Sequence, residues 1–231
     1  MTNTPMLHEW NLQPEAAAAL QRTLAAKIIR TDQLVRDPAQ LVAGVDMAIN
    51  EETNKARAAV VLLTYPEMEV IERHVYEEPI RMPYIPGLLS FREIPCILGA
   101  FAQLNQQPDL VMVDGQGIAH PRYLGIASHL GLWLDLPTIG CAKSILRGHY
   151  DEKALGEEAG AWLPLTYKRE TIGAAVRTRT RVKPMIISLG HRISLPTSLH
   201  YVLTSSKGYR LPEPTRQADK LSKDNAFIPF S

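Results

Sequence analysis

The chain has 231 residues, of which 45% are hydrophobic and 21% are charged, so it can bury a full core within one domain. Its formal net charge of +1 excludes a global attraction to a polyanion, so any nucleic-acid binding must rest on a local patch. No stretch approaches the roughly 18 apolar residues of a membrane span, and MTNTPMLHEW lacks a secretory pattern, so we expect a cytoplasmic protein with no membrane partner. We also expect a monomer with a single domain over residues 1–231.

The N-terminal part of the chain predicts one helix followed by three strands. Apolar residues recur at helical spacing after Pro14, which suits a first helical turn, so residues 14–30 are predicted to form a packing helix. Strand-like runs then begin at Leu41, Ala56 and Glu69, and a turn at residues 66–68 separates the last two. This order predicts an antiparallel meander.

The remainder of the chain predicts alternating helices and strands. Helical character is expected at residues 89–101 and 121–134, at SLPTSLHYVLTSS with Ser194 as its cap, and in LPEPTRQADKLS. Buried strands are expected at DLVMVD, at TIGCAKS, and in the basic region together with PMIISLG. Helices interspersed with apolar strands favour an α/β sandwich around a mixed sheet.

The cysteines and a basic run each have an ordinary structural interpretation. Cys96 and Cys141 lie far apart in apolar surroundings, which favours buried reduced thiols over a disulfide or a Cys-x-x-Cys metal site. Between Lys168 and Arg192 there are seven Lys or Arg residues against a single acid, Glu170. Such a run is typical of a solvated strand edge, although it is also a candidate patch for nucleic acid.

Three carboxylates occupy positions that we expect to face inward. Asp46 lies in the first strand, Glu93 lies early in the helix after the meander, and Asp114 ends the apolar run DLVMVD. Each alone is typical of a cap or a solvated acid, but this order is that of the ribonuclease H-like fold, where the acids converge. Clustered carboxylates repel one another, and Mg²⁺ prefers oxygen ligands. The trio therefore predicts a metal site suited to phosphodiester hydrolysis.

Several separated segments resemble the endonuclease V family, in family order and across most of the chain from Leu41 to Asp219. They are GVD at 44–46, PYIPGLLSFREIP at 83–95, DGQGIAHPRYLGIASHLG at 114–131, CAKSIL at 141–146, GHRIS at 190–194 and RLPEPTRQAD at 210–219. The resemblance implies a ribonuclease H-like mixed sheet, with an antiparallel meander plus parallel strands, flanked by helices. It also implies a Mg²⁺-dependent nuclease that nicks DNA 3′ to deoxyinosine, at the second bond.

The resemblance also implies roles for individual polar residues. Asp46 and Asp114 are expected to ligate Mg²⁺, for which Mn²⁺ can substitute, and Glu93 completes the catalytic carboxylates. His120 and Lys143 are expected near the metal and the phosphates, where a cation offsets charge or helps to orient the attacking water. Composition alone favours a loop histidine and a solvated lysine at these two positions. Asp219 stands where some family members carry histidine, and it is expected to serve as a fourth acid near the metal.

Recognition of the damaged base is expected to involve a wedge and a pocket. The family's PYIP wedge falls on Pro83, Tyr84, Ile85 and Pro86, where Tyr84 can enter the base stack. Without the surrounding match, a proline-rich turn with a packed tyrosine is the preferred interpretation. The family's tight pocket for hypoxanthine, which distinguishes it from adenine by hydrogen bonding, falls on Gly87, Leu89, Gly115, Gly125, Ile126 and Leu146.

DNA containing deaminated bases is the expected partner, but alternatives remain open. A ribonuclease acting on inosine-containing RNA is one, since no clear reader of the 2′-hydroxyl is present. A non-cleaving lesion-binding protein is another, and the intact acids argue against it. A phosphotransferase of the same fold is a third, and the PYIP and DGQGIAHPR segments argue against that. The tail at residues 220–231 is expected to be flexible or to pack locally.

Overall fold

A computed structural model describes residues 7–224 as a mixed sheet flanked by helices. The helices are α1 (Pro14–Ala25), α2 (Leu89–Phe101), α3 (Ile126–Leu134), α4 (Leu195–Thr204) and α5 (Glu213–Ser222). The strands are β1 (Leu41–Asn50), β2 (Lys55–Thr64), β3 (Val70–Pro79), β4 (Leu110–Val113), β5 (Thr138–Ala142), β6 (Trp162–Tyr167), β7 (Glu170–Val176) and β8 (Met185–His191).

The eight-stranded sheet has the order β3-β2-β1-β4-β5-β8-β7-β6. The first three strands form an antiparallel meander, as the sequence predicts, and β1, β4 and β5 run parallel to one another. Strand β8 pairs antiparallel with β5, and β7 and β6 extend the sheet by further antiparallel pairs. This arrangement confirms the predicted α/β class with a ribonuclease H-like mixed sheet.

The core lies on both sides of the sheet. One apolar cluster joins β1, β2 and β4 to α2 and α3, through residues such as Val45, Val113, Ile94 and Ile97. A larger cluster joins β4, β5, β7 and β8 to α4. The four residues of β4 and the five of β5 are all buried, which explains why their sequences read as unbroken apolar runs.

Two predicted helices are shorter than expected. The first ends at Ala25 rather than at residue 30, because the Ile29 amide instead donates to the ring nitrogen Nδ1 of His191, at the end of β8, and the Ile29 carbonyl oxygen accepts from the Arg192 amide. The third begins at Ile126 rather than at residue 121. Residues ahead of it form a loop whose backbone bonds to β8, since the amide of Ile118 donates to the carbonyl oxygen of Leu189 at 2.9 Å.

Other local predictions can also be compared with the structure. Ser194 caps α4 by accepting a hydrogen bond from the Thr197 amide, and the two cysteines are buried and unpaired, as expected. Strand β6 was not predicted. The predicted tail begins inside α5, which continues to Ser222, and residues 225–231 lie outside the described residues. Across residues 7–224, no helix is long and apolar enough to cross a membrane.

Candidate functional site

Three aspartates converge where parallel strands end. Val45 of β1 lies opposite Val113 of β4, so Asp46 and Asp114, which follow them, emerge at the same level of the sheet. Asp219 joins them from α5. One carboxylate oxygen of each of the three lies within 4.8 Å of those of the other two. Of the acids expected near the metal, Glu93 is the one outside this group.

Close packing of α5 against β1 brings the third aspartate into the group. A Cβ atom placed on Gly44 lies only 1.9 Å from the carbonyl oxygen of Pro214, so a larger residue cannot stand there without moving the helix. The same contact brings Ser222 to Asp46, and the Ser222 hydroxyl donates to Asp46 Oδ2 at 2.7 Å. Glycine at position 44 therefore allows α5 to approach β1 closely enough to place Asp219 beside Asp46 and Asp114.

Lys143 lies between two of the aspartates. Its ammonium nitrogen is 2.5 Å from Asp114 Oδ2 and 2.9 Å from Asp219 Oδ1. Although burial opposes the charge, hydrogen bonds to both carboxylates raise the lysine pKa, so this cation is stable at neutral pH. Burial would raise the pKa of Asp219, but hydrogen bonds from Lys223 and Lys143 lower it below its usual range.

The other two acids resist ionisation. Burial, reinforced by the charge of Asp114, raises the pKa of Asp46 above its usual range. Burial and the charge of Asp46 raise the pKa of Glu93 from 4.5 to about 8, although Arg92 opposes the shift. Excess negative charge in a partly buried site is what a divalent cation relieves, and carboxylate oxygens are ligands that Mg²⁺ and Mn²⁺ accept. The residues therefore fit such an ion.

A pocket of about 300 Å³ opens beside the carboxylates. Asp114 and Lys143 line it, so it is continuous with the acidic group, and Tyr84 and His120 also line it. All the positions expected to form the base pocket lie in its wall: Gly87, Leu89, Gly115, Gly125, Ile126 and Leu146. Three separate sequence segments, at residues 83–95, 114–131 and 141–146, thus meet around one cavity.

Glycine is needed at two places in this wall. Gly87 has φ +81°, a left-handed conformation that other residues adopt only with strain. A Cβ atom on Gly125 would lie 2.2 Å from the carbonyl oxygen of Gln116. Glycine at these two positions therefore permits the backbone turn at residue 87 and the close packing of residue 125 against the Gln116 backbone.

A polar network holds the Gly87 corner of the pocket. The Gly87 carbonyl oxygen accepts from Gln21 Nε2 at 3.0 Å and from Arg122 Nη2 at 2.7 Å. Arg122 Nε also donates to Gln21 Oε1 at 2.5 Å. Gln21 is 1% exposed, on the face of α1 that packs against the domain. The sequence analysis assigned α1 only a packing role and missed this contact. The available signal was a glutamine at a helix position that faces the core together with Ala17 and Leu24.

His120 is buried beside the same corner. Burial and the charge of Arg122 lower its pKa from 6.5 to about 4, so the imidazole is neutral at physiological pH. It retains the ability to orient a water molecule or a phosphate oxygen by hydrogen bonding.

The proline-rich segment ahead of α2 presents its tyrosine to solvent. The Tyr84 side chain is 62% exposed, and Pro83 and Pro86 are exposed beside it. Ile85 instead packs against an apolar cluster that includes Phe91, which anchors the segment. Tyr84 lines both the pocket and a second depression of about 400 Å³. The interpretation as a turn with a packed tyrosine is therefore wrong.

The basic run does not form one patch. Arg181 pairs with Glu157, and Arg192 pairs with Asp135. Arg177 donates to the carbonyl oxygens of residues 156 and 182. Lys168 and Arg169 lie apart from these, at the turn between β6 and β7. The sequence run is therefore divided between the two ends of a hairpin.

Comparison with known proteins identifies relatives along nearly the whole chain. The sequence matches the family model described as Endonuclease V over residues 22–220. It is 54% identical over 218 residues to endonuclease V of Gloeobacter violaceus, covering 94% of this chain and 87% of that protein.

Solved structures of the same family share the fold. Endonuclease V from Streptomyces avermitilis superposes with a TM-score of 0.87 at 38% identity, covering 93% of each chain. Endonuclease V from Ciona intestinalis, in complex with a DNA containing an inosine followed by a ribo-adenosine, superposes with a TM-score of 0.81 at 30% identity. That match covers 92% of this chain and 97% of the Ciona chain.

Proposed function

Because the chain belongs to the endonuclease V family, we propose that it is a Mg²⁺-dependent endodeoxyribonuclease acting on deoxyinosine in DNA. It extrudes the deaminated base into the pocket and hydrolyses the second phosphodiester bond on the 3′ side of the lesion. We further propose that it acts as a monomer with a single nuclease domain. The observation that carries the proposal is that the pocket wall includes Asp114, a member of the acidic group, and Lys143, which pairs with it.

In this proposal, Asp46 and Asp114 hold the metal ion, with Asp219 as a third oxygen donor. The ion supplies Lewis-acid charge next to the scissile phosphate. Asp219 and Asp114 already share the Lys143 ammonium, so the two carboxylates are drawn together before any ion binds. Mn²⁺ accepts the same ligands and is expected to replace Mg²⁺.

Lys143 and Glu93 have separate functions in the chemistry. The Lys143 ammonium stays charged and is 43% exposed, so it can turn from the carboxylates towards a phosphate oxygen. Glu93 holds a proton on its carboxyl group near neutral pH in the metal-free protein, because its pKa is about 8. Release of that proton on substrate and metal binding makes Glu93 available as a base.

Extrusion of the base is assigned to Tyr84. Its exposed ring can fill the gap that the extruded base leaves in the base stack, and Ile85 anchors the segment to the domain. Unstacking and unpairing a base requires a few kcal/mol, and the requirement is smallest for a mismatched or damaged base. Poor pairing of hypoxanthine therefore contributes to selectivity.

Discrimination between hypoxanthine and adenine is assigned to the pocket. Its volume of about 300 Å³ is at the small end of the range for ligand sites and suits a single base. Main-chain groups near Gly87 and Gly115 can match the O6 acceptor and N1–H donor of hypoxanthine. Adenine instead has an amino donor at position 6 and an acceptor at N1. Its binding would leave the buried main-chain groups of the pocket unpaired, which opposes it. The Ciona relative bound to inosine-containing DNA supports this choice of substrate.

The test is cleavage of matched oligonucleotides that carry deoxyinosine in DNA, adenine in DNA, or inosine in RNA. The proposal predicts a nick in the deoxyinosine strand and little cutting of the adenine control. Faster cutting of the RNA would assign the chain to inosine-containing RNA instead. Tight binding of deoxyinosine DNA without cutting under any metal condition would identify a lesion-binding protein.

A further inference from the structure

A surface of cations and tyrosines lies next to the pocket, beyond Leu146. We call it the basic aromatic surface, and it consists of Arg30, Tyr123, Arg147, Tyr167, Lys168 and Arg169. Two connections join it to the pocket: Arg147 directly follows the pocket residue Leu146, and Tyr123 comes three residues after His120. Leu146 is 51% exposed and Ile145 is 41% exposed, so apolar contact area lies between the cavity and the cations.

Two cations meet the ring of Tyr167. The Arg147 guanidinium lies 3.8 Å from the ring centroid, and the Lys168 ammonium lies 5.5 Å from it. Within residues 7–224, the Arg147 Nε has no hydrogen-bond partner. A guanidinium held over an aromatic ring keeps its full positive charge, because the ring is not an anion, and arginine in this setting is suited to binding phosphate.

A second tyrosine completes the surface. Burial and the neighbouring charge of Glu170 raise the pKa of the Tyr123 hydroxyl, and the Arg30 guanidinium lies 5.9 Å from the centroid of the Tyr123 ring. Arg30 also pairs with Glu170. Among the described contacts of this surface, Glu170 is the acid present, and Arg30 offsets its charge. The remaining charge, from Arg147, Lys168 and Arg169, is positive.

The turn that carries two of these cations has an uncommon composition. Tyr167 pairs with Glu170, so Lys168 and Arg169 are the two central residues of the β6–β7 hairpin. Their φ angles are +49° and +65°, the left-handed conformation in which Asn-Gly is preferred. Two long cationic residues at such positions lower local stability relative to Asn-Gly, and backbone conformations of this kind are often retained for function.

We propose that the basic aromatic surface binds the phosphodiester backbone of the DNA strand flanking the extruded base. Arg147, Lys168 and Arg169 contact phosphates, and the partly exposed rings of Tyr123 and Tyr167 provide faces for unstacked bases. This inference rests on the proposed function and extends its substrate contacts beyond the wedge, the pocket and the acids. It also explains how a chain with a net charge of +1 attracts a polyanion.

The test is the salt dependence of DNA binding by the double variant Lys168→Asn/Arg169→Gly. These residues suit the turn, so the variant removes two charges without disturbing the hairpin. Equilibrium binding to a duplex with one deoxyinosine is measured in EDTA from about 50 to about 200 mM salt. The matched control is Arg73→Ala/Arg179→Ala, which removes two exposed cations. Arg73 lies on β3 at the opposite edge of the sheet, and Arg179 lies in the β7–β8 loop, about 20 Å from the turn by the length of β7.

We expect the turn variant to bind several-fold more weakly, with the slope of log K against log salt reduced by about 1 for each lost phosphate contact. The loss should be equal for deoxyinosine and adenine duplexes, because phosphates carry no base identity. Arg147→Gln should behave similarly, and the control should match the wild type.

Three results would overturn the inference: an unchanged slope in the turn variant, an equal change in the control, or a loss confined to the deoxyinosine duplex. If the wild type nicks deoxyinosine DNA but the turn variant binds it normally, this surface alone is wrongly assigned. If the wild type neither binds nor nicks that DNA, the proposed function fails as well.

Discussion

The side-chain amide of Gln21 donates to the Gly87 carbonyl oxygen, 3.0 Å away, and so connects helix α1 to the wall of the pocket. The same side chain accepts from Arg122, which itself bonds to Gly87. A helix expected only to pack therefore helps to fix the shape of the base-binding cavity.

Gln21→Met keeps the side-chain volume but removes these hydrogen bonds. We expect it to lower the free energy of unfolding by about 1–3 kcal/mol, because buried partners are left unpaired. We also expect the preference for deoxyinosine over adenine, measured as a ratio of dissociation constants, to fall by about tenfold. Thr23→Ala, on the exposed side of the same helix, is the control. Lost stability with an unchanged ratio would show that Gln21 has only a structural function.

Asp46→Asn and Asp114→Asn each remove one negative charge from the acidic group. We expect single-turnover cleavage to fall by on the order of 10²–10⁴-fold, since the metal ion contributes several kcal/mol to transition-state stabilisation. Binding of deoxyinosine DNA in EDTA should remain, because it depends on the wedge and the pocket. Asp151→Asn, in an exposed loop, is the matched control. Normal cleavage by either site variant would show that the substituted aspartate is not needed to hold the metal ion.

Tyr84→Ala should chiefly weaken lesion binding. Stacking of a base on an aromatic ring contributes roughly 1–3 kcal/mol, so we expect the dissociation constant to rise by about 5- to 150-fold. Tyr84→Phe keeps the ring and should restore most of the affinity. Tyr209→Ala provides the control, because Tyr209 is also exposed, at 51%. Equal affinity of the alanine variant and the wild type would refute the wedge assignment.

Glu93 should make the metal-free protein less stable as pH rises. Its pKa is raised from 4.5 to about 8 in the folded protein, so the folded state retains a proton that the unfolded state has lost. Stability contributed by this proton is present below about pH 4.5 and is lost progressively up to about pH 8. Glu93→Gln removes this titration. The melting temperature of the variant minus that of the wild type, both measured in EDTA, should therefore increase as the pH rises from about 4.5 to about 8. Parallel melting curves across this pH range would contradict the assigned protonation of Glu93.

The sequence predicts much of the fold because its signals are local. The strand-like runs and the turn of the meander, the unbroken apolar runs in β4 and β5, and the Ser194 cap each reflect what a short segment can bury or bond. Strand β6 was missed because its sequence, WLPLTY, contains a proline and lies at the sheet edge, where such residues are tolerated. The start of α3 was missed because residues 115–125 form a loop: the Gly125 amide donates to the Gly117 carbonyl oxygen and the Ile118 amide donates to Leu189, rather than each amide bonding four residues back as in a helix.

The candidate site was predictable as a set of residues but not as an arrangement. Motif segments indicated Asp46, Asp114 and the pocket glycines, whereas Ser222 and Gln21 meet the site only through tertiary packing. The buried, neutral state of His120 likewise depends on Arg122 and on the enclosing loop rather than on any pattern around it. Interactions between distant segments decide these features, and one sequence does not encode them in its periodicity.

The most direct measurement is the size of the product released from a 5′-labelled duplex with one deoxyinosine, in EDTA and after addition of Mg²⁺. We predict no product in EDTA, and with Mg²⁺ a single product that ends one nucleotide beyond the deoxyinosine, as cleavage of the second 3′ bond requires. An adenine duplex of the same sequence should stay intact. Cleavage in EDTA, equal cutting of the adenine duplex, or a product that ends on the 5′ side of the lesion would contradict a metal-dependent nuclease specific for deoxyinosine.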